Sequence, residues 1–374
     1  MRIGINLLFL LPGVVGGTET YAVSLSQALG QIDQLNEYIV FLNRESADLG
    51  LPRQPNFQKV ICPVPARSRA LRYFWEQFVM PLQAKKYQLD LLHSLGYVQP
   101  LQVPCKSVVT IHDLNFYNLE HLMPRTKRAV LRYFVTQSAM RVDHIITVSE
   151  FSKEQIMEIL GIPEDKVTVT YNAVKKRPYQ IQAFDVLHER YGLRRPYLLT
   201  LSSSSPHKNI VGLIRAFAVL KQEGLHELQL VVAGHPPRDM QFPGALLKNR
   251  KFVNAVVFTG YVPEEILPTL YAHAEVFVFP SLYEGFGIPI LEAFQYGTSV
   301  ACSNRAAIPE IAGNAAVYFD PTDMEEIAEV IKRLLADENQ RKYLAKAGKE
   351  QVALFTWEET AQKTLDVYKR VLEG

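Results

Sequence analysis

The sequence predicts an α/β protein built from two doubly wound parallel sheets. Three observations predict it: the chain length, the alternation of short apolar runs with longer amphipathic stretches, and a restart of that alternation near residue 197. At 374 residues the chain exceeds what one ordinary hydrophobic core organises, so two domains are expected. In the first half, candidate strands fall at residues 3–9, 38–42, 91–94, 108–111, 145–148 and 167–171. The second series occupies residues 197–201, 228–233, 256–258, 276–279, 299–302 and 317–319. Short apolar runs suit strands buried on both faces, and the longer stretches between them supply the crossover helices that parallel strands need.

The expected division is an amino-terminal domain at residues 1–175, a linker at 176–196 and a second domain at 197–355. The linker region is polar and marked by Pro178 and Pro196, with a helical stretch at residues 184–191. Residues 356–374 open with Thr356 and Glu359, a capping box, and carry Leu365, Val367, Tyr368 and Val371 on a helix expected to pack back on the amino-terminal domain.

A formal charge of +2 implies no nucleic-acid partner. Cys62, Cys105 and Cys302 are isolated and odd in number, which fits a reducing cytosol. The apolar start is short, lacks a small-residue cleavage site and reads as a first buried strand. No apolar stretch approaches the length of a membrane span, so any membrane association is expected to be peripheral, at the inner face. Basic residues cluster at Arg67, Arg69 and Arg72, and again at Arg125, Lys127, Arg128 and Arg132. The favoured reading of both clusters is a solvated helix face; the alternative is a dock for anionic lipid headgroups or an anionic acceptor. The aromatics of residues 71–78 and 128–134 are expected to be ordinary core packing, with amphipathic helices beside a lipid-linked acceptor as the alternative.

The most informative stretch runs from Ser281 to Glu292. Gly285 and Gly287 let the chain turn sharply after an apolar strand and let a ligand approach the backbone. Pro289 suits the first turn of a following helix, where its missing N–H costs nothing. Free amides at such a helix start favour an anion, most naturally a phosphate. Glu284 precedes the turn and Glu292 lies one to two turns into the helix, so both reach one crevice. A carboxylate beside an anion site is repelled unless it serves another purpose, and binding sugar hydroxyls is the obvious one. The combination points to a nucleotide-sugar pocket. Other strand ends have unusual composition too: Gly16 and Gly17 with Glu19, His112 with Asp113, residues 202–209, Gly234 with His235, and Gly260 with Tyr261. Ligands of open α/β sheets collect beyond such ends.

Together these motifs resemble the retaining glycosyltransferases of family four, whose GT-B fold has two Rossmann-like domains facing a central cleft. The resemblance spans essentially the whole chain. It rests on Gly16, Gly17 and Glu19, on Thr110, His112 and Asp113, on Thr147, Ser149 and Ser152, and on Tyr171 and Asn172. It continues through Pro206, Lys208 and Asn209, then Phe258, Gly260 and Tyr261, and above all the Glu-x7-Glu pair Glu284 and Glu292, with Pro309 and Glu310 downstream. It implies that Glu292 accepts hydrogen bonds from the ribose hydroxyls and that Glu284 grips the transferred sugar. The amides of Phe286, Gly287 and Ile288 meet the sugar and diphosphate, and Gly260 and Tyr261 frame the base. Lys208 is the implied diphosphate contact, and His112 the residue facing the donor sugar. Gly16 and Gly17 allow a loop of the first domain to approach the reacting phosphate, while Glu19 orients that loop or the acceptor. His93, His144 and His273 are read as core or surface residues.

The chain departs from its resemblance at residues 202–207. Relatives usually have glycine at the position of Ser202 and often arginine at the position of Ser203 or His207, so a second strong cation is missing. A protonated His207, or hydroxyls and amides of residues 202–205, are the expected substitutes.

The implied reaction moves a hexosyl unit from a nucleoside-diphosphate sugar to a saccharide or lipid-linked acceptor hydroxyl with retention, the leaving phosphate taking the acceptor proton. GDP-mannose is the donor favoured by the version of the turn at residues 283–289, ahead of a UDP-hexose. No Asp-x-Asp sequence occurs, so neither a metal nor any other cofactor is expected. The alternatives are an epimerase or phosphorylase of the same fold, or a nucleotide-sugar-binding protein without turnover.

Overall fold

The computed structural model describes residues 1–14, 16–119, 123–175, 178–203, 205–235 and 250–374. Val15 of the glycine loop, Lys176 and Arg177 of the expected linker, and Ser204 of the serine loop lie outside the described residues. The chain divides into two units, Met1–Lys175 with Phe355–Gly374, and Lys176–Leu354.

The first unit holds a seven-stranded sheet: β1 (Arg2–Asn6), β2 (Glu37–Leu42), β3 (Phe57–Ile61), β4 (Leu91–Ser94), β5 (Lys106–Thr110), β6 (His144–Thr147) and β7 (Val167–Val169). Every pairing is parallel, in the order β3-β2-β1-β4-β5-β6-β7. The second unit holds β8 (Tyr197–Ser202), β9 (Gln229–Gly234), β10 (Val256–Gly260), β11 (Val276–Phe279), β12 (Val300–Ser303) and β13 (Ala316–Phe319), again parallel, in the order β10-β9-β8-β11-β12-β13. The strand order reverses once in each sheet, at β1 beside β4 and at β8 beside β11. Such a switch point opens a crevice beyond the strands' carboxyl ends, because neighbouring crossovers leave in opposite directions. These are two Rossmann-like sheets, the pattern of the GT-B fold.

Each of the twelve expected strands overlaps an observed one. The strand at the start stops at Asn6 rather than residue 9, because the Asn6 side chain accepts from the Leu8 amide at 3.1 Å and turns the chain. β3 was not expected. It is an edge strand whose Gln58 and Lys59 face solvent, so it lacks the apolar run that marks its neighbours.

The helix Trp357–Glu373 is capped by Thr356, whose hydroxyl accepts from the Glu359 amide at 3.2 Å. It packs on the helix Gly17–Ile32 of the first unit, burying Leu365, Val367, Tyr368 and Val371. Tyr368 is also hydrogen-bonded to Nδ1 of His93 at 2.7 Å, while Nε2 of that ring meets the Thr110 hydroxyl at 2.8 Å. His93 is thus a satisfied core residue.

Residues 69–86 form a run of helix, Arg69–Phe74 and Met80–Lys86, joined by a π-helical turn at Trp75–Val79. Core packing holds here for Trp75 and for Tyr73, which stacks on Phe134 at 4.7 Å between ring centroids. It fails for Leu71, Phe74 and Phe78, which are 55%, 59% and 64% exposed. Glu76 takes the inward position instead, its carboxylate 3.7 Å from Arg72. Among the described residues, no helix is long and apolar enough to cross a membrane.

Candidate active site

Lys208 and Glu284 converge at the switch point of the second sheet. Lys208 closes a short turn, Pro206–Lys208, after β8, and Glu284 lies in the loop after the adjacent β11. Their side chains meet at 2.7 Å, Nζ to Oε1, and both are largely buried. The Lys208 ammonium also lies over the Phe279 ring, 5.1 Å from its centroid. Burial raises the Glu284 pKa, but the positive charge beside it, chiefly Lys208, together with hydrogen bonds from Lys208 and Ser281, more than offsets that and holds the carboxyl below its ordinary value. The two loops are tied by their backbones as well, since the Leu282 amide donates to the His207 carbonyl at 2.8 Å.

The turn after Glu284 ends at Gly287, whose φ of 114° is open to glycine and strained for other residues. The helix Ile288–Gln295 starts there, with Pro289 in its first turn. The amides of Phe286, Gly287 and Ile288 therefore stand at or just before a helix start, the position where partial positive charge gathers. Glu292, buried further along this helix, has Oε2 3.0 Å from the Tyr271 hydroxyl. Tyr271 was not singled out in the sequence. It belongs to the helix Leu267–Ala272, is fully buried and stacks on Tyr296 at 5.8 Å. Its sequence signal is slight, a hydroxyl-bearing aromatic in a short helix that is otherwise apolar apart from Thr269.

Gly260 and Tyr261 stand at the end of β10, where Gly260 has a φ of 66° and the Tyr261 ring is 72% exposed. The serine loop differs from expectation. Burial, ahead of the opposing pull of Glu284, pushes His207 below its ordinary imidazole range, which works against the protonated ring expected there. The Ser202 hydroxyl is already committed, donating to the His235 carbonyl at 2.8 Å. Ser203 Oγ accepts from the Ser205 amide at 3.4 Å, which leaves its proton available to an anion. Gly234 lets these loops approach: a Cβ there would lie 2.2 Å from the Ser202 carbonyl oxygen.

In the first unit, Gly16 and Gly17 open the helix Gly17–Ile32 after β1, and Glu19 orients their loop by accepting from the Gly13 amide at 2.8 Å. His112 follows β5 and is buried, with Tyr21 edge-on at 4.8 Å between ring centroids and Tyr97 at 5.4 Å. Burial pushes its pKa down to about 4. The ring is neutral, and Nε2 must carry its proton because it donates to the Leu95 carbonyl at 3.0 Å. Nδ1 is left as an acceptor, a state suited to a hydroxyl and unsuited to a phosphate. His144 and His273 make structural contacts, with Thr168 and with the Gln182 carbonyl.

Comparison with known proteins agrees with this architecture. Residues 184–351 match the family described as "Glycosyl transferases group 1", and residues 15–176 match "Glycosyltransferase Family 4". The chain is 30% identical over 290 residues to O-antigen chain mannosyltransferase B of Escherichia coli, covering 76% of this chain and 75% of that one. Among solved structures, sucrose-phosphate synthase of Thermosynechococcus elongatus superposes with a TM-score of 0.79 at 20% identity, covering 100% and 99% of the two chains. The Anabaena protein HepE, solved with UDP and glucose, gives 0.74 at 18% identity, with 99% of each chain covered. With both family models matched and a mannosyltransferase aligned along three quarters of its length, the chain belongs to glycosyltransferase family 4 and is a glycosyltransferase of the GT-B fold.

Proposed function

We propose that the protein transfers mannose from GDP-mannose to a saccharide hydroxyl with retention of anomeric configuration and without a metal ion. The observation that carries the donor site is the Lys208–Glu284 contact at the β8–β11 switch point, beside the start of the helix that holds Glu292. Lys208 faces the diphosphate and neutralises charge as it builds on the leaving group. Glu284 binds hydroxyls of the sugar, and Glu292 binds the ribose, two acceptor oxygens to two hydroxyls. The amides of Phe286, Gly287 and Ile288, with the Ser203 hydroxyl, take the remaining phosphate oxygens, and Gly260 and Tyr261 border the base.

His112 accepts from a sugar hydroxyl through Nδ1. The departing phosphate oxygen removes the acceptor proton, so no enzyme base is required, and rate comes from positioning and electrostatic stabilisation. Mannose is supported by the E. coli relative, itself named an O-antigen chain mannosyltransferase.

The deciding experiment incubates the protein with GDP-, UDP-, ADP- and dTDP-sugars and follows thermal stability, then product, with and without EDTA. GDP-mannose is expected to raise the melting temperature most. It is also expected to support transfer that EDTA leaves unchanged. Stabilisation by a UDP-sugar alone would overturn the donor, and loss of turnover in EDTA would overturn metal independence.

A further inference from the structure

We infer that the two basic helical segments of the first unit, residues 69–86 and Arg125–Arg141, form a docking surface for an anionic lipid bilayer. Charge is concentrated there. Residues 67–86 and 125–141 hold ten of the chain's 40 Lys and Arg but only one of its 38 Asp and Glu, although the whole chain carries just +2. That one acid, Glu76, is buried, and burial pushes its pKa up to about 7, so it puts little negative charge on the surface. Arg67, Arg69, Lys85, Lys86, Arg125 and Lys127 are exposed.

The same segments expose their apolar side chains. Leu71, Phe74, Phe78 and Leu82 recur every three or four residues and are 55% to 65% exposed, with the Phe74 and Phe78 rings 5.1 Å apart. Val130 and Tyr133 add a further exposed pair on Arg125–Arg141. A helical stripe of this kind, flanked by cations, is built to lie at an interface with its rings among acyl chains and its cations among headgroups.

Between the two segments runs a groove of about 580 Å³, lined by Arg69, Tyr73, Met123, Lys127, Val130 and Leu131 among others. Lys127, though exposed, is partly desolvated at the groove and faces the charge of Arg69, and the two together lower its pKa. Among the described residues, no carboxylate pairs with either cation. A phosphate at the groove's mouth relieves that repulsion, and the apolar floor accepts the carbon chain behind it. An acidic protein would answer the charges but not the exposed phenylalanines, whereas a bilayer answers both with one material.

The surface uses none of the donor-site residues, so docking and transfer are read separately. Sedimentation with phosphatidylglycerol-containing and pure phosphatidylcholine vesicles tests it, using the wild type and the double variants R69E/K127E and F74S/F78S. The wild type is expected to sediment with the anionic vesicles only, and less in high salt. Each double variant is expected to lose roughly 10-fold or more in partitioning, while transfer to a short water-soluble acceptor stays unchanged. Should the charge reversal unfold the protein, R69Q/K127Q reads the same loss. Equal binding to neutral vesicles, no binding to anionic ones, or indifference to both double variants overturns the proposal. A dimer in solution that F74S/F78S dissolves assigns the surface to a second copy instead and overturns it too.

Discussion

Lys208 Nζ and Glu284 Oε1 are 2.7 Å apart, so the cation proposed for the diphosphate is held by the carboxylate proposed for the sugar. The pair keeps both side chains in place before a donor arrives, and neither must be ordered at the moment of binding. Removing either partner leaves the other charge uncompensated in a largely buried site. Lys208→Ala and Glu284→Ala are each expected to fold, to melt a few degrees lower, and to lose about 10²–10³ in kcat. The double variant should be no less stable than the worse single one. Full activity in Lys208→Ala would remove the phosphate role.

Acid should weaken the fold through its buried histidines. For His112, the folded pKa of about 4 lies below the ordinary 6.5, so between these values the unfolded chain binds more protons. Its contribution is complete above pH 6.5 and is lost as pH falls towards 4, on the order of 3 kcal/mol in all. Denaturant titrations from pH 7 to pH 4 are expected to show this loss, shallower in His112→Asn. The Glu284 pKa is lowered as well, so its pairing with Lys208 contributes above the ordinary carboxylate range and fades only as pH drops through the folded value. A fold whose stability is flat between pH 6.5 and 4 would contradict the buried neutral imidazole.

Tyr271→Phe isolates the hydrogen bond to Glu292. The ring stays, and only the hydroxyl at 3.0 Å from Oε2 is lost. The KM for the nucleotide sugar is expected to rise roughly 3–10-fold, the worth of one hydrogen bond, with kcat nearly unchanged. Glu292→Ala should weaken donor binding further. An equal fall in kcat would place Tyr271 in the chemistry rather than in nucleotide binding.

Gly234→Ala tests the crowding at the ends of β8 and β9. The φ of 107° and a Cβ lying 2.2 Å from the Ser202 carbonyl both oppose the substitution. A loss of about 2 kcal/mol or more is expected in chemical denaturation, with weaker donor binding because Ser202 leads into the Lys208 turn.

Most of the fold was legible because its strands are buried on both faces and show as apolar runs. Val276–Phe279 is buried at every position and was read to the residue. The edge strand Phe57–Ile61 is not, since its polar residues meet water and erase the pattern. Phe74 and Phe78 misled for the opposite reason: composition cannot say which face of a helix finds a partner. Lys208 and Glu284 could be placed at strand ends, but their contact across 76 residues follows from β8 lying beside β11, which is topology rather than composition. The lowered His207 pKa and the Tyr271 contact depend on three-dimensional burial, which no local spacing encodes.

The helix Trp357–Glu373 completes the sheet unit that begins at Met1, with Tyr368 hydrogen-bonded to His93 across 275 residues of chain. Lys176–Leu354 lies wholly inside that span. During synthesis, at roughly 5–20 residues per second, the unit begun first is therefore the one finished last. The inner unit can fold while its elder neighbour still waits on the ribosome for its final helix. A premature stop near residue 355 would spare the proposed nucleotide pocket and cripple the half of the molecule translated long before it.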